Sequence, residues 1–218
     1  MSYQIAIDGP AGAGKSTIAK KVAKTKGFIY VDTGAMYRAM AYFLLAQKVN
    51  PEDEKAVGEK CRGADITIQY VDGEQVVLLN GENVNGVLRT EEVGNMASST
   101  SKNPKVRERL TQLQKELAEK NNVVMDGRDI GTCVLPDAHV KVYLTASAKV
   151  RAKRRFDELT AKGEHCDIKK IEEDIIKRDE QDMNRAIAPL KQAEDAVLVD
   201  SSYMTIEEVV QTILDLCE

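Results

Sequence analysis

The run Gly9-Pro10-Ala11-Gly12-Ala13-Gly14-Lys15-Ser16 has the spacing GxxxxGK[ST]. Residues of these types at this spacing bind phosphate. The glycines permit backbone angles that turn successive amide N–H groups inward onto an anion. A helix starting at the lysine adds the positive end of its dipole. Lys15 then reaches the β- and γ-phosphates of a nucleoside triphosphate, and the Ser16 hydroxyl ligates Mg²⁺. The pattern carries weight only between a strand and a helix, and both are present. Gln4–Ile7, ending at Asp8, reads as a buried strand; Lys15–Lys26 has helical periodicity, with Ile18, Val22 and Ala23 on one face and Gly27 as the stop. The motif leaves open what receives the phosphoryl group.

The arginines address that question: Arg38, Arg107, Arg128, Arg154, Arg155, Arg178 and Arg185. Val123–Asp126 reads as a strand ending in a carboxylate, followed by Gly127-Arg128-Asp129. Ligands of open α/β sheets lie at the carboxyl ends of strands, which puts Asp126, Arg128 and Asp129 in the same crevice as the glycine-rich turn. An ordinary turn with a salt bridge is the structural alternative for Arg128. Arg178, Asp182 and Arg185 share one helix face, either as a solvated ion-pair stripe or as a binding face. A hydroxyl acceptor calls for a carboxylate base. A phosphate acceptor is already anionic, and the difficulty becomes bringing two polyanions together, which calls for Mg²⁺, lysine and arginine forks. One phosphate loop with this many arginines favours the phosphate acceptor. A P-loop kinase acting on another small molecule remains the rival. A guanine-nucleotide switch would need Asn-Lys-x-Asp, which does not occur.

These residues need a scaffold. Phe28–Val31 reads as a second strand and Thr33 as the cap of a helix from Ala35 to Gln47; residues 52–62 form a weaker helix. Ile66–Tyr70 and Gln75–Leu79 flank Asp72-Gly73, a strong hairpin signal. Asn80-Gly81 supplies a second turn, so a small antiparallel sheet interrupts the βα alternation. Helices follow at about 90–98, 105–120 with Pro104 in the first turn, 148–162, 168–185 and 206–216. Strands fall at 123–125, 140–144 and 196–199. The alternation implies a parallel α/β sheet. The helix pair joined by the polar loop Gly163–Asp167 is expected to close over the site and exclude water.

Composition sets the outer limits. The chain has 218 residues, 31 Lys+Arg, 35 Asp+Glu and a net charge of −4. That length suits one core with insertions, and the near-balanced charge argues against disorder and against bulk attraction to nucleic acid or membrane. The basic cluster Lys149, Arg151, Lys153, Arg154 and Arg155 is short and lacks interleaved aromatics, so no nucleic-acid partner is expected. No apolar run approaches the ~20 residues of a membrane span, and Met1–Gln4 lacks a basic leader. Cys61, Cys133, Cys166 and Cys217 form no CxxC, and only His139 and His165 could join them. Reduced thiols in a cytoplasmic protein are expected.

Four blocks together resemble the bacterial cytidylate kinases: Asp8–Thr17 (DGPAGAGKST), Asp32–Arg38 (DTGAMYR), Asp126–Thr132 (DGRDIGT) and Arg178–Leu190 (RDxxDxNRAxAPL). The likeness runs in order over almost the whole chain. It implies a P-loop NTPase core, with a central parallel sheet flanked by helices (1–31, 104–147 and 186–218). It also implies a monophosphate-binding unit (32–103, antiparallel insertion at about 64–85) and a helical lid (148–185). The implied reaction is ATP with CMP or dCMP giving ADP with CDP or dCDP, with Mg²⁺ at Ser16; separately, a monomer is expected. By matching motif positions, Gly9, Pro10, Ala11, Gly12, Ala13, Gly14, Lys15, Ser16 and Thr17 would bind ATP. Arg38, Arg128 and Arg185 would hold the acceptor phosphate. Thr33, where the family often has Ser, and Arg178 would lie near the acceptor phosphate and sugar, with Asp182 on sugar hydroxyls. Ser98, Arg107 and Asp129 would meet the base. Arg154 and Arg155 would bring charge over the transferring group, beside Lys15, Arg128 and Arg185. Hydrogen-bond logic agrees: a carboxylate accepts from cytosine's exocyclic amine, while Arg107 and Ser98 match its N3 and O2. Asp129 as an Mg²⁺ or structural residue is the alternative.

Overall fold

The computed structural model describes residues 2–217. Five parallel strands build the main sheet: β1 (Gln4–Asp8), β2 (Ile29–Asp32), β6 (Val123–Gly127), β7 (Val140–Thr145) and β8 (Val197–Asp200), in the order β2-β6-β1-β7-β8. The central strands are apolar on both faces because helices cover both. Ile5, Ile7 and Val124 point to one side, against Ile18, Val22, Val209 and Ile213 of helices α1 (Lys15–Lys26) and α8 (Ile206–Asp215). Ala6, Val123 and Met125 point to the other, against Met36, Met40 and Leu44 of α2 (Thr33–Ala46) and Leu110 of α5 (Pro104–Lys120). The period-two alternation of β1 and β6 divides the core into these two layers.

The insertion lies between α2 and α5. It comprises α3 (Glu54–Lys60), a short 3-10 turn at Cys61–Gly63, the hairpin β3 (Ile66–Val71) and β4 (Glu74–Leu79), the short β5 (Glu82–Asn83), and α4 (Glu91–Thr100). Asp72-Gly73 and Asn80-Gly81 both have positive φ at each residue, the primed geometry that suits strand twist. The charged helices α6 (Ala148–Ala161) and α7 (Ile168–Asn184), which connect β7 to β8 in the chain, pack against each other. Among the described residues no helix is long and apolar enough to cross a membrane.

One expectation is corrected. The cap of α2 is Asp32, not Thr33: its Oδ1 accepts from Ala35 N at 2.8 Å, a contact worth about 1 kcal/mol. Thr33 is the first helical residue and is buried. The segment after Asp129 forms a π-helical turn over Ile130–Val134.

Candidate active site

The parallel register brings carboxylates to one edge of the sheet. Asp8 ends β1, and Asp32 on β2 stands opposite Asp126 on β6. The loop between β1 and α1 passes close to β7: a Cβ on Gly9, whose φ is +148°, would meet the Leu144 carbonyl oxygen at 1.9 Å. Only glycine fits there. Lys15 is buried under the loop and its Nζ donates to the Pro10 carbonyl at 2.8 Å. Burial first, and then the Arg128 charge, lower its pKa to about 7 against the pull of Asp126, Asp8 and Asp182.

Asp126 lies beside the loop. Its Oδ2 accepts from the Ser16 hydroxyl at 3.0 Å and its Oδ1 from the Tyr30 hydroxyl at 2.8 Å. Burial, with the charge of Asp32, raises it to about 6. Asp8 accepts from the amides of Ile130 and Gly131 at 2.8 and 2.7 Å, and burial raises it too, to about 6. Asp8 thus ties the π-helical turn to the end of β1.

Across the cleft the arginines and aspartates interlock. Asp129 is buried between Arg107, in close contact, and Arg185 Nη2 at 3.3 Å. Burial pushes the Asp129 carboxyl upward while Arg107 and Arg185 oppose it. Asp182 accepts from Arg128 Nε at 2.9 Å and lies 3.9 Å from Arg185 Nη1. Arg178 is open to the cleft, yet the protein around it and the charges of Arg128 and Arg38 hold its pKa below the usual range. Arg38 pairs with Asp32 at 3.2 Å, its Nε buried without a partner among the described residues. Thr33 Oγ1 donates to the Asp126 carbonyl at 2.7 Å. Arg107 also stands 5.6 Å from the centre of the Tyr37 ring.

Most of the expected residues therefore converge on one cleft. Arg154 and Arg155 do not join this network. Arg154 donates to the Ser201 carbonyl at 2.7 Å, and Arg155 pairs with Glu158 on the exposed face of α6. Ser98 is half-buried within α4, its carbonyl accepting from the Ser101 hydroxyl at 3.0 Å. The structure adds residues not anticipated. Arg151, read above only as part of a basic cluster, is buried and reaches the phosphate loop: its Nη1 donates to the Ala11 carbonyl at 2.9 Å. Gln75 clips the insertion to β2 with both ends of its amide, accepting from Asp32 N at 2.9 Å and donating to Asp32 O at 3.2 Å. Tyr30 joins Ser16 in holding Asp126. The one sequence signal for Gln75 was its place two residues after the Asp72-Gly73 turn, which fixes its face but not what lies opposite.

A glycine-rich phosphate loop with a buried lysine, beside a bank of arginines, can gather two polyanions. The comparisons with known proteins agree with this arrangement. A family model described as cytidylate kinase matches residues 5–218. The chain is 52% identical over 212 residues to a cytidylate kinase of Caldicellulosiruptor bescii, covering 97% of this chain and 94% of that protein. It is 50% identical over 214 residues to a cytidylate kinase of Shouchella clausii, covering 98% and 95%. Among solved structures, an uncharacterized protein of Eubacterium ventriosum has a TM-score of 0.55 at 12% identity, over 98% of this chain and 97% of that one. A shikimate kinase of Bacteroides thetaiotaomicron has a TM-score of 0.50 at 16% identity, over 99% and 98%. Likeness at such low identity speaks to the fold alone. The family match spans the glycine-rich loop, the arginine bank and the insertion together, and the chain belongs to the cytidylate kinase family.

Proposed function

We propose that this chain transfers the γ-phosphoryl group of ATP to CMP or dCMP, giving ADP and CDP or dCDP. One observation carries the choice of a phosphate acceptor: among the described residues, each carboxylate of the cleft is already engaged by an amide, a hydroxyl or an arginine. Asp8 is held by two backbone amides, Asp126 by two hydroxyls, Asp32 by Arg38 and a helix amide, and Asp129 and Asp182 by arginines. A hydroxyl acceptor would need one of them aimed at it. An anionic acceptor needs the arginines instead, and the buried, unpartnered Nε of Arg38 is a donor suited to a phosphate oxygen.

In this reading Gly9–Thr17 hold the ATP phosphates, while Arg38, Arg128 and Arg185 hold the acceptor phosphate. Thr33, Arg178 and Asp182 serve its phosphate and sugar, and Ser98, Arg107 and Asp129 read cytosine. Residues 32–103 form the acceptor-binding unit and 148–185 the lid, in a monomeric cytoplasmic enzyme. The Ser16–Asp126 pair fits Mg²⁺. Two hard oxygens lie 3.0 Å apart beside the loop, and Mg²⁺ takes few protein ligands when nucleotide phosphates and water supply the rest. Among the described residues no cluster of three or more His, Cys, Asp or Glu offers a richer cage. When bound, Mg²⁺ neutralises phosphate charge. The chain's own residues do the remainder: the loop amides and Lys15 steady the charge that develops on transfer, and the arginines hold the acceptor in line.

A coupled assay with ATP and CMP, dCMP, UMP, AMP or uncharged cytidine tests the reading. Turnover is expected with CMP and dCMP and not with cytidine; phosphorylation of cytidine with CMP ignored overturns it. The base assignment has its own test. Uracil's 4-carbonyl would meet Asp129 acceptor against acceptor. Asp129→Ala is therefore expected to narrow the CMP-to-UMP ratio of kcat/KM by about 10- to 100-fold, the worth of a hydrogen bond to a charged group. An unchanged ratio would remove Asp129 from base recognition.

A further inference from the structure

Arg151 occupies the first turn of α6, and its side chain is only 6% exposed. Each of its nitrogens is committed to a different segment. Nε donates to the Ala146 carbonyl just past β7 at 2.8 Å, and Nη1 to the Ala11 carbonyl at the crown of the phosphate loop at 2.9 Å. Nη2 pairs with Asp179 Oδ2 on α7 at 2.7 Å. Its Cβ also lies 3.5 Å from where a Cβ on Gly12 would stand. The guanidinium thus grips the loop by a carbonyl and, being a donor, occupies none of its amides. Its partner Asp179 is buried, and among the described residues Asp179 Oδ1 has no partner of its own. Asp179 follows Arg178 directly and precedes Asp182, which holds Arg128, by one helical turn.

We propose that Arg151, through Asp179, is a positioning residue that couples the phosphate loop to α7, so that nucleotide bound in the loop orders the helix that serves the acceptor. The proposal rests on the acceptor reading above only for which ligand benefits. Stability alone is a poor account of the pair. Burying two charges costs as much as their attraction returns, and an apolar pair of similar size would serve a core equally well. A planar fork that ties three segments together does what an apolar pair cannot: it makes the position of one depend on the others. Coupling of this kind is reciprocal, so the acceptor nucleotide must tighten donor binding by the same factor. The physical warrant is a shared element that both sites bias, here α7 held against the loop.

Amide hydrogen exchange, read by mass spectrometry on peptides spanning 168–184, tests this with Mg²⁺ and a non-hydrolysable ATP analogue. In the wild-type chain the analogue is expected to slow exchange across α7. In Arg151→Met and in the near-isosteric Asp179→Asn, the loop and α1 are expected to gain protection while α7 gains little. The second reading is the dissociation constant of CMP with and without the analogue. The expected ratio is about 5- to 150-fold in the wild type, falling toward one in both variants with the CMP constant in the absence of analogue nearly unchanged. A merely structural role would lower melting temperature and both affinities together and leave the ratio intact. That result, or wild-type protection of α7 persisting in Asp179→Asn, overturns the proposal. The exchange arm needs no acceptor. If α7 responds to the analogue but CMP never binds, the acceptor assignment has failed and the coupling stands.

Discussion

Lys15→Met is expected to leave a folded protein whose kcat falls by about 10³-fold, the scale on which removing one preorganised cation or donor costs phosphoryl and acyl transfer. Lys15 is buried under the loop, and the other buried cation that reaches the loop, Arg151, is committed to Ala146, Ala11 and Asp179. Methionine has nearly the same length and fills the same space. The fold should survive because the native lysine is itself a burden: burial depresses its pKa to about 7, so its charge is held there at a cost that the variant no longer bears. The effect belongs mainly in turnover. The loop amides still cradle the polyphosphate in the ground state, whereas the charge that builds on transfer loses its nearest counter-charge. Steady-state kinetics beside a thermal melt decide it. A variant that melts at or above the wild-type temperature and keeps more than about a tenth of wild-type kcat would show that Lys15 serves the loop's shape and not the reaction.

The strength of this expectation reflects how local the motif is. Gly9 to Ser16 is contiguous, its φ requirements are met within the loop, and the flanking strand and helix announce themselves through periodicity. The two turns of the insertion were legible for the same reason, since Asp72-Gly73 and Asn80-Gly81 carry their conformation in their own types. What the sequence could not disclose depends on sheet order. Strands β1, β6 and β7 become neighbours although more than a hundred residues separate β1 from the others. Only that adjacency brings Arg151 to Ala11 and Asp8 to the amides of Ile130 and Gly131, and only the pairing of β2 with β6 brings Tyr30 to Asp126. Arg151, Arg154 and Arg155 lie within five residues of one helix and look alike as letters, yet one is buried on the loop and two face elsewhere. A helix presents different residues to different neighbours, and charge composition does not say which face is which. Likewise Asp32 and Thr33 are both capping types; Asp32, the stronger of the two, caps because β2 ends on it and leaves its side chain at the helix entrance.

Arg185→Ala carries the other large expectation: kcat/KM for CMP lower by about 10³-fold, with both affinity and turnover reduced. Arg185 touches both acidic partners of the cleft, Asp129 at 3.3 Å and Asp182 at 3.9 Å, and its Nε donates to the Ala188 carbonyl. It therefore joins the residue proposed to read the base to the residue proposed to hold the sugar. Removing one member of a buried ion pair usually leaves a stranded charge and costs about 3–5 kcal/mol of stability. Here neither acid is stranded, since Asp129 keeps Arg107 and Asp182 keeps Arg128. The loss should accordingly fall on function and spare the fold. Arg185→Lys should rescue little, because an ammonium cannot span Asp129, Asp182 and a phosphate as a planar fork does. Initial-rate kinetics over a CMP series, with circular dichroism on the same preparations, separate the possibilities. Wild-type constants in a folded Arg185→Ala would detach Arg185 from the acceptor site, and full rescue by lysine would reduce its role to bare charge.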